Sequence, residues 1–233
     1  MAKQKPAVEA AWFGLGLACG MIVTHLLTRA PRPLAQWRYW EQALAERYGK
    51  QKAALLAARM QARYEALYRE RLRFSNSALR DHFEGHILPA IALYQVLQEE
   101  TGSSAEALDL VDRCFSAHIQ ASREAWQMRL LDGLPGNFEL LRIANRAALR
   151  NGFPAEGWQV EWVEDSPQRI AYDITDCFYL NVFRQYGVPE PTAHCCAMDD
   201  QLYGHLRTIV WERTETLGRG DARCNFVLRP RQA

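Results

Sequence analysis

The spacing of apolar residues changes once along this chain, near Gly157, and that change constrains the fold more than any other feature. Before this point apolar side chains recur at three- and four-residue steps, for example from Trp37 to Leu44, which is typical of helices packed on one face. After it apolar and polar residues alternate, for example from Ile170 to Ile174, which is typical of strands. The chain is therefore predicted to belong to the α+β class, with helices first and an antiparallel sheet at the end.

In the last third of the chain, the pattern of apolar and turn residues predicts the order strand, strand, helix, helix, strand, strand (ββααββ). Turn residues at 164–167 and 217–221 separate the members of each strand pair, so each pair is predicted to form a hairpin. Gly187 ends the first helix, and Thr192 is predicted to cap the second. Strands are predicted at 158–163, 170–174, 210–216 and 224–228, and helices at 35–75, 79–100, 105–131, 138–150, 178–186 and 192–206. This order favours an antiparallel sheet covered on one face by helices.

Residues 10–27 form an apolar run of eighteen residues without a formal charge at neutral pH. That length just reaches what is needed to span a bilayer core of about 30 Å. We predict a single-pass membrane anchor, with a cleaved signal peptide and a buried or partner-facing soluble helix as alternatives. The longer basic run on the C-terminal side of this segment, together with unpaired cysteines, favours a cytoplasmic main domain.

Charge is unevenly distributed, although the formal net charge of the whole chain is only +1. From Arg29 to Arg80 there are twelve basic and four acidic residues, whereas the remainder to the C-terminus has fourteen basic and twenty-two acidic ones. We interpret the basic segment either as a surface held near anionic lipid headgroups or as an ordinary solvated helix face. Nucleic acid is not an expected partner, because no recognised reader motif accompanies the charge. The predicted division is a membrane anchor with its flanks at 1–33, a basic helical stalk at 34–78, and an α+β domain at 79–233.

Residues with useful chemistry fall where the predicted strands end and the second helix of the last third begins. Cys177 ends the second strand, while Cys224 opens the last one. His194, Cys196 and Asp199 lie at the start of the helix. Cys196 and Asp199 are three residues apart and share one helix face, and a thiol near a helix N-terminus has a lowered pKa. We expect these five residues to form a catalytic group; the alternative is that the cysteines are buried as small hydrophobic residues.

Cysteine usage bears on cofactors and on redox state. Six cysteines in 233 residues are too few for a disulfide scaffold, and two of them are adjacent, so free thiols in a reducing compartment are expected. Zinc or iron held by the cysteines, with His194 or Asp199 as a further ligand, is an alternative, but the Cys-x-x-Cys spacing of many such sites is absent. His82 and His86 would share a helix face and are a second, weaker metal hypothesis. We expect no cofactor.

A series of short segments in the second half of the chain carries a family resemblance. The segments are Cys177-Phe-Tyr, Phe183-Arg-Gln-Tyr-Gly-Val-Pro-Glu190, Cys196-Ala-Met-Asp199, Thr216-Leu-Gly-Arg-Gly-Asp221 and Cys224-Asn-Phe226, preceded by Ile87–Tyr94 and Ala105–Leu108. In this combination the chain resembles the L-2-amino-thiazoline-4-carboxylic acid hydrolase family over roughly residues 80–230. The combination is specific because Cys-x-x-Asp and Gly-Asp-x-x-Cys occur in order; any one segment alone would be weak.

The resemblance implies a hydrolase that uses water to open the C=N bond of a small carboxylated heterocycle such as a thiazoline. Cys196 would attack the ring carbon while Asp199 or His194 moves protons, or else Asp199 would activate water directly. Asn225 stands where the family pattern leads us to expect aspartate, which would remove one acid from the site. The residues expected to bind the substrate carboxylate or a developing charge are Thr216, Gly218, Gly220 and Asp221.

Two other functions are compatible with the sequence. The first is a non-catalytic member of the family that serves as an accessory or assembly subunit of a membrane complex and binds a membrane-protein partner. The predicted anchor at residues 10–27, the basic stalk and Asn225 favour it. The second is a sensor of a small ligand or metal built on the same pocket.

Overall fold

In the computed structural model, residues 36–232 are described, and they form a helical layer followed by a four-stranded antiparallel sheet. The first part contains α1 (Gln36–Tyr48), α2 (Lys50–Arg69), α3 (Ser77–His82), a π-helix (Phe83–Ile87), α4 (Leu88–Thr101), α5 (Ser104–Gln120), α6 (Arg123–Asp132) and α7 (Asn137–Gly152). The second part contains β1 (Trp158–Ser166), β2 (Arg169–Cys177), α8 (Phe178–Gln185), α9 (Pro191–Tyr203), β3 (Ile209–Glu212), a 3₁₀ turn (Leu217–Arg219) and β4 (Cys224–Pro230). The α+β class and the ββααββ order are confirmed.

Local sequence explains where the long predicted helices break. Gly49 has a φ of 79°, a left-handed conformation that glycine adopts without strain, and it separates α1 from α2. The Ser122 hydroxyl oxygen accepts a hydrogen bond from the N–H of Ala125 and thereby caps α6. The prediction of one helix over 105–131 is therefore wrong, because this cap starts a new helix within it.

The two helices of the predicted stalk pack against the rest of the structure. Their apolar side chains belong to the same core as those of α4 and α5, and the buried ones include Trp37, Trp40, Leu44, Leu56, Met60 and Tyr64. Arg59 and Arg63 both form salt bridges with Glu99, and Arg59 also pairs with Glu100. Acidic residues of α4 thus neutralise part of the basic segment. The domain boundary at residue 78 stays a prediction.

The predicted anchor at residues 10–27 lies outside the described residues. Within residues 36–232, no helix has both the length and the apolar character needed to cross a bilayer. The single-pass membrane location therefore stays a prediction.

The sheet has the strand order β1-β2-β4-β3, and every neighbouring pair is antiparallel. Tyr172 pairs with Phe226 and Ile174 pairs with Cys224, so these four side chains project from one face. All four are buried, which makes this the inner face of the sheet. Asn225, between two of them on β4, projects from the opposite face.

Helix α9 lies between the helical layer and the inner face of the sheet. It packs against α5 on one side, and on the other Asp200 accepts a hydrogen bond from the indole N–H of Trp211 on β3 at 2.9 Å. The helix begins at Pro191, whose missing N–H suits a first helical turn. The prediction that Thr192 caps this helix is wrong, because its hydroxyl donates to the carbonyl of Pro189 instead.

A buried carboxylate at the end of α6 forms hydrogen bonds with the segment that precedes β3. Asp132, whose side chain is only 5% exposed, accepts hydrogen bonds from the N–H groups of Arg207 and Thr208 and from the Thr208 hydroxyl. Burial alone would raise the pKa of Asp132, but the hydrogen bonds from Thr208 and Arg207 lower it to about 2.

The substitution Asp132→Asn is expected to lower the free energy of unfolding by about 2 kcal/mol at pH 7, because the paired carboxylate charge is lost. The folded-state pKa lies below the ordinary value of 3.8, so this stabilisation is present above that pH and disappears as the pH falls toward about 2. Urea denaturation at several pH values measures the effect. The control Asp109→Asn changes a carboxylate that is 62% exposed and should have little effect. An equal loss in both variants would contradict the role of Asp132.

Candidate functional site

The cysteines and the aspartate selected from the sequence lie near one another where α9 contacts the sheet, a region that we call the recess. Cys224 is buried, and the residues that keep partial access to solvent are Cys177, Cys195, Cys196 and Asp199. The charges of Cys177, Asp199 and Cys224 all affect the ionisation of Cys196, which requires the four groups to be close. The structure thus brings together four of the five residues expected to be catalytic.

His194 is not part of this group. Its Nδ1 lies 3.2 Å from Oδ1 of Asp112 on α5, so the ring is directed at the helical layer. Two residues along a helix correspond to roughly 200° of rotation, which explains why His194 and Cys196 face opposite ways. The role expected for His194 as a proton carrier has no contact to support it.

Cys196 and Cys224 lie close enough for each thiol to affect the ionisation of the other. The neighbouring Cys196 lowers the pKa of Cys224, and the N–H of Leu217 at 3.2 Å and the positive charge of Arg213 act in the same direction. The neighbouring Cys224 and burial of the thiol raise the pKa of Cys196. Cys224 is therefore the sulfur that ionises more readily, and Cys196 is the one that keeps its proton.

The turn before β4 holds Leu217 in place for this contact. At Gly218 a Cβ atom would lie 2.9 Å from the backbone nitrogen of Ala193, so only glycine lets the turn approach α9 so closely. Gly220 has a φ of 94°, and Asp221 Oδ2 accepts a hydrogen bond from the N–H of Thr216 at 2.7 Å. The two glycines and Asp221 thus shape the turn. Their expected contacts with substrate stay predictions.

The hydroxyl of Thr216, at the start of this turn, is available for a further hydrogen bond. Thr216 is buried, and its Oγ1 has no hydrogen-bond partner in the described structure. A buried hydroxyl without a partner is unfavourable unless something else fills that role. This observation is compatible with the predicted binding role of Thr216.

Asp199 is a carboxylate that is both accessible and poorly solvated. Its side chain is 41% exposed, yet burial raises its pKa to about 6, against the opposing effect of Arg213. A carboxylate with a pKa near neutrality is suited to accepting and returning protons at physiological pH.

Arg213, just after β3, is a site residue that the sequence did not reveal. Its side chain is 1% exposed and bonds to Asp199 at 3.1 Å, to Asp200 at 2.7 Å and to the carbonyl of Cys196 at 2.7 Å. Its guanidinium also lies 5.6 Å from the ring of Trp211. In the sequence it is one of 28 Lys and Arg residues and belongs to no motif. Only its burial singles it out.

The expectation that the thiols at the start of α9 have lowered pKa values is wrong. Burial is the largest effect on Cys195 and raises its pKa, with the neighbouring Cys177 and Asp199 acting in the same direction. Burial also raises the pKa of Cys177 to about 11. The helix N-terminus does not overcome desolvation at Cys195 or Cys196, whereas the N–H of Leu217 contributes to a lowered pKa at Cys224.

A family described as L-2-amino-thiazoline-4-carboxylic acid hydrolase matches residues 80–228. The chain belongs to this family. No curated protein matches the chain. Among solved structures, the Fe(II) unliganded H-NOX protein from K. algicida matches with 11% identity and a TM-score of 0.34, over 85% of this chain and 96% of that one, and similarity at this level does not establish a common fold.

The family match includes every residue of the recess and leaves out α1 and α2. It also includes Asn225, which was expected to reduce the acidity of the site. Asn225 instead projects from the outer face, where its Oδ1 accepts hydrogen bonds from the N–H groups of Thr214 and Glu215. It fixes the strand-connecting loop and removes no acid from the recess.

Metal binding finds no geometric support in the described part of the chain. No group of three or more His, Cys, Asp or Glu side chains among residues 36–232 is arranged to hold a metal ion. Both ring nitrogens of His82 already have partners, the hydroxyl of Tyr179 and the carbonyl of Gly152, each at 2.9 Å. His82 therefore has no free lone pair to give a metal together with His86. The expectation of no cofactor stays a prediction.

A separate surface cavity of about 320 Å³ lies at the C-terminal end of α9, where Met128, Gln201 and His205 are among its lining residues. It includes none of the expected site residues and no thiol. The reactive side chains selected from the sequence therefore lie outside this cavity.

The substitution Arg213→Gln is expected to lower the free energy of unfolding by about 3 kcal/mol or more, because it leaves Asp199 and Asp200 without their shared cation. It should also raise the pKa of Asp199 above about 6, since Arg213 lowers it in the native protein. Denaturant titration and carboxyl titration by NMR measure the two effects. Arg229→Gln, which removes a 42% exposed arginine paired with Glu212, is the matched control and should cost little. Unchanged stability in Arg213→Gln would contradict this account.

Proposed function

We propose that this protein is a hydrolase that opens the C=N bond of a small carboxylated heterocycle, such as a thiazoline, at the recess between α9 and the sheet. One observation carries the proposal: Asp199, whose pKa is raised to about 6, lies close enough to the thiols of Cys196 and Cys224 to affect their ionisation. Family membership supports the reaction type. A nucleophile, a proton donor and a base are the groups that hydrolysis at a C=N carbon requires.

The negative charge of the recess favours binding of a cationic amidine group over binding of an anionic group. Asp199 and Asp200 together carry two negative charges, and the single guanidinium of Arg213 is already bound to both. The protonated amidine of an aminothiazoline would supply a positive charge and N–H donors to the accessible oxygen of Asp199. It would also lie near the rings of Tyr203 and Trp211, which are 4.9 Å apart.

The first route of the proposed reaction assigns the nucleophile to Cys224. Its sulfur forms a bond to the C=N carbon, the electron pair of the double bond moves to nitrogen, and Cys196 supplies the proton. The adduct then collapses: the ring bond between this carbon and nitrogen breaks, the ring nitrogen leaves as an amine with a proton passed on from the exocyclic amino group, and a C=N bond to that group forms. Asp199 takes a proton from water as the water oxygen adds to this carbon, and passes the proton to the nitrogen of the new C=N bond. The new hydroxyl gives its proton to Asp199 and becomes a carbonyl while the bond to Cys224 breaks, which releases Cys224 as a thiolate. The proton on Asp199 returns to Cys196, which restores the starting state.

The second route omits the covalent step, and Asp199 activates water to attack the C=N carbon directly. In that case Cys196 and Cys224 only shape the recess. The pKa directions favour the first route, because Cys224 is stabilised as a thiolate while Cys196 keeps its proton.

Asp199→Asn is expected to reduce kcat/KM for 2-aminothiazoline-4-carboxylate by about 100-fold or more, because both routes need its carboxylate. Asp200→Asn is the matched control: it lies next in sequence, has the same 41% exposure and also binds Arg213, but its other oxygen is occupied by Trp211. Its loss should be at least tenfold smaller. Equal losses in the two variants would contradict the assignment.

The pH profile gives an independent check on Asp199. The group must be ionised to accept a proton from water, and its pKa is raised to about 6. kcat/KM should therefore fall about tenfold per pH unit below about pH 6 on account of Asp199. The residual activity of Asp199→Asn should lack this limb.

The two routes are separated by cysteine variants. Under the first route Cys224→Ala should lose activity by about 1000-fold or more, and Cys196→Ala should lose less because water can replace a proton donor. Cys114→Ala, which alters a fully buried thiol on α5 away from the recess, is the control. Substantial turnover by Cys224→Ala would reject the first route. No turnover by the intact wild-type protein, together with co-purification with a membrane partner, would instead favour an accessory subunit.

A further inference from the structure

The surface cavity of about 320 Å³ at the C-terminal end of α9 has no role in the proposed reaction. Residues of α6, of the end of α9 and of the segment before β3 line it, so elements that are distant in sequence form one concave surface. Its volume is at the lower end of the range of about 300–1,000 Å³ that is typical of small-molecule sites. A ligand of this cavity is therefore a small molecule.

Part of the cavity wall is apolar. Ala125 and Met128 contribute to it from α6, Leu202 contributes from α9, and Leu206 contributes from the segment before β3. Met128 and Leu206 belong to the buried core, which holds their side chains in place. An apolar group that contacts this wall is removed from water, and that removal favours binding.

Two arginines line the same cavity. Arg129 on α6 is exposed and forms no salt bridge with any residue in the range 36–232. Arg207 donates through Nε to Asp132 at 3.3 Å, which leaves the two terminal nitrogens of its guanidinium available. A guanidinium can bind a carboxylate through two parallel hydrogen bonds. The two arginines therefore favour an anionic ligand, and a carboxylate in particular.

The carboxylate of Asp132 also lines the cavity, but its charge is already compensated. Its side chain is 5% exposed, and its two oxygens accept hydrogen bonds from the N–H groups and side chains of Arg207 and Thr208. Backbone N–H groups that follow α6 and α9 bond to the last carbonyls of these helices, which limits the negative field at their ends. Arg129 thus remains as a cation without a counter-charge.

We propose that this cavity is a binding site for a small organic carboxylate with an apolar body. The carboxylate of the ligand pairs with Arg129 and Arg207, and its apolar body contacts Met128 and Leu206. The cavity selects a negative charge, whereas the recess around Asp199 favours a positive one. The inference does not depend on the proposed hydrolase activity.

The two parts of the cavity together define the class of ligand. Inorganic phosphate would meet the arginines but would leave the apolar wall in contact with water. A neutral apolar molecule would cover the wall but would give the guanidinium groups no charged acceptor. Only a ligand that has both a carboxylate and an apolar body uses both parts.

The experiment titrates the full chain with benzoate, by calorimetry and by NMR of the backbone amides. Benzoate should bind saturably at one site per chain with a Kd of about 1 mM or lower, and the largest shifts should lie at residues of the cavity. Benzamide has nearly the same shape without the charge, and acetate has the charge without the ring. Each should bind at least about tenfold more weakly than benzoate, and so should inorganic phosphate at the same ionic strength.

Variants test the two parts of the cavity separately. Arg129→Gln should weaken benzoate binding about tenfold, because a charge-assisted pair is lost. Arg123→Gln is the matched control, since Arg123 lies on the same helix and is exposed but does not line the cavity, and it should leave the affinity unchanged. Ala125→Leu alters no charge and fills space at the apolar wall, so it should also weaken binding by about tenfold or more. The urea midpoint of Arg129→Gln should match that of the wild-type protein, because the arginine is exposed.

Several results would overturn the inference. They are the absence of saturable benzoate binding, equally tight binding of benzamide or phosphate, and an equal effect of Arg123→Gln and Arg129→Gln. Shifts centred on Asp199 instead of Arg129 would place benzoate in the recess and would overturn it as well. None of these results bears on turnover of 2-aminothiazoline-4-carboxylate, and a protein without that turnover would still be expected to bind benzoate in the cavity.

Discussion

A guanidinium buried between a helix and a sheet is the constraint on which the site depends. Arg213 is almost fully covered, and a buried cation is stable only when opposite charges and hydrogen bonds surround it. Asp199, Asp200 and the carbonyl of Cys196 meet that requirement from α9. The helix is thereby held in one rotation about its axis, with Asp199 and Cys196 toward the sheet and His194 toward α5.

The remaining chemistry follows from that orientation. With α9 in place, Cys196 reaches Cys224 on β4, and the glycine turn brings the N–H of Leu217 to the same sulfur. Cys224 thus gains the donors that favour a thiolate, while desolvation makes Asp199 basic enough to exchange protons near neutral pH. The proposed division of labour between nucleophile, proton donor and base arises from these environments and not from residue type.

Much of the fold could be predicted, because hydrophobic periodicity reports which face of each element is buried. The ββααββ order and the antiparallel sheet were predicted from that pattern and are confirmed. Element boundaries were less predictable: Ser122 starts a new helix, and Thr192 bonds to Pro189 instead of capping α9. Such outcomes depend on which of several nearby backbone groups a hydroxyl reaches, and short-range sequence leaves that choice open.

The sequence by itself determined the class of the fold, the family, and the cysteines and aspartate that surround the recess, since periodicity and motif order are local properties of the chain. Only the tertiary structure decided which thiol is the more acidic, that Asn225 faces away, and that Arg213 belongs with the site. The reason is physical: pKa values and hydrogen-bond directions depend on burial and on neighbours distant along the chain, such as Arg213 to Asp199 or His82 to Tyr179. Spacing along the sequence does not encode those contacts.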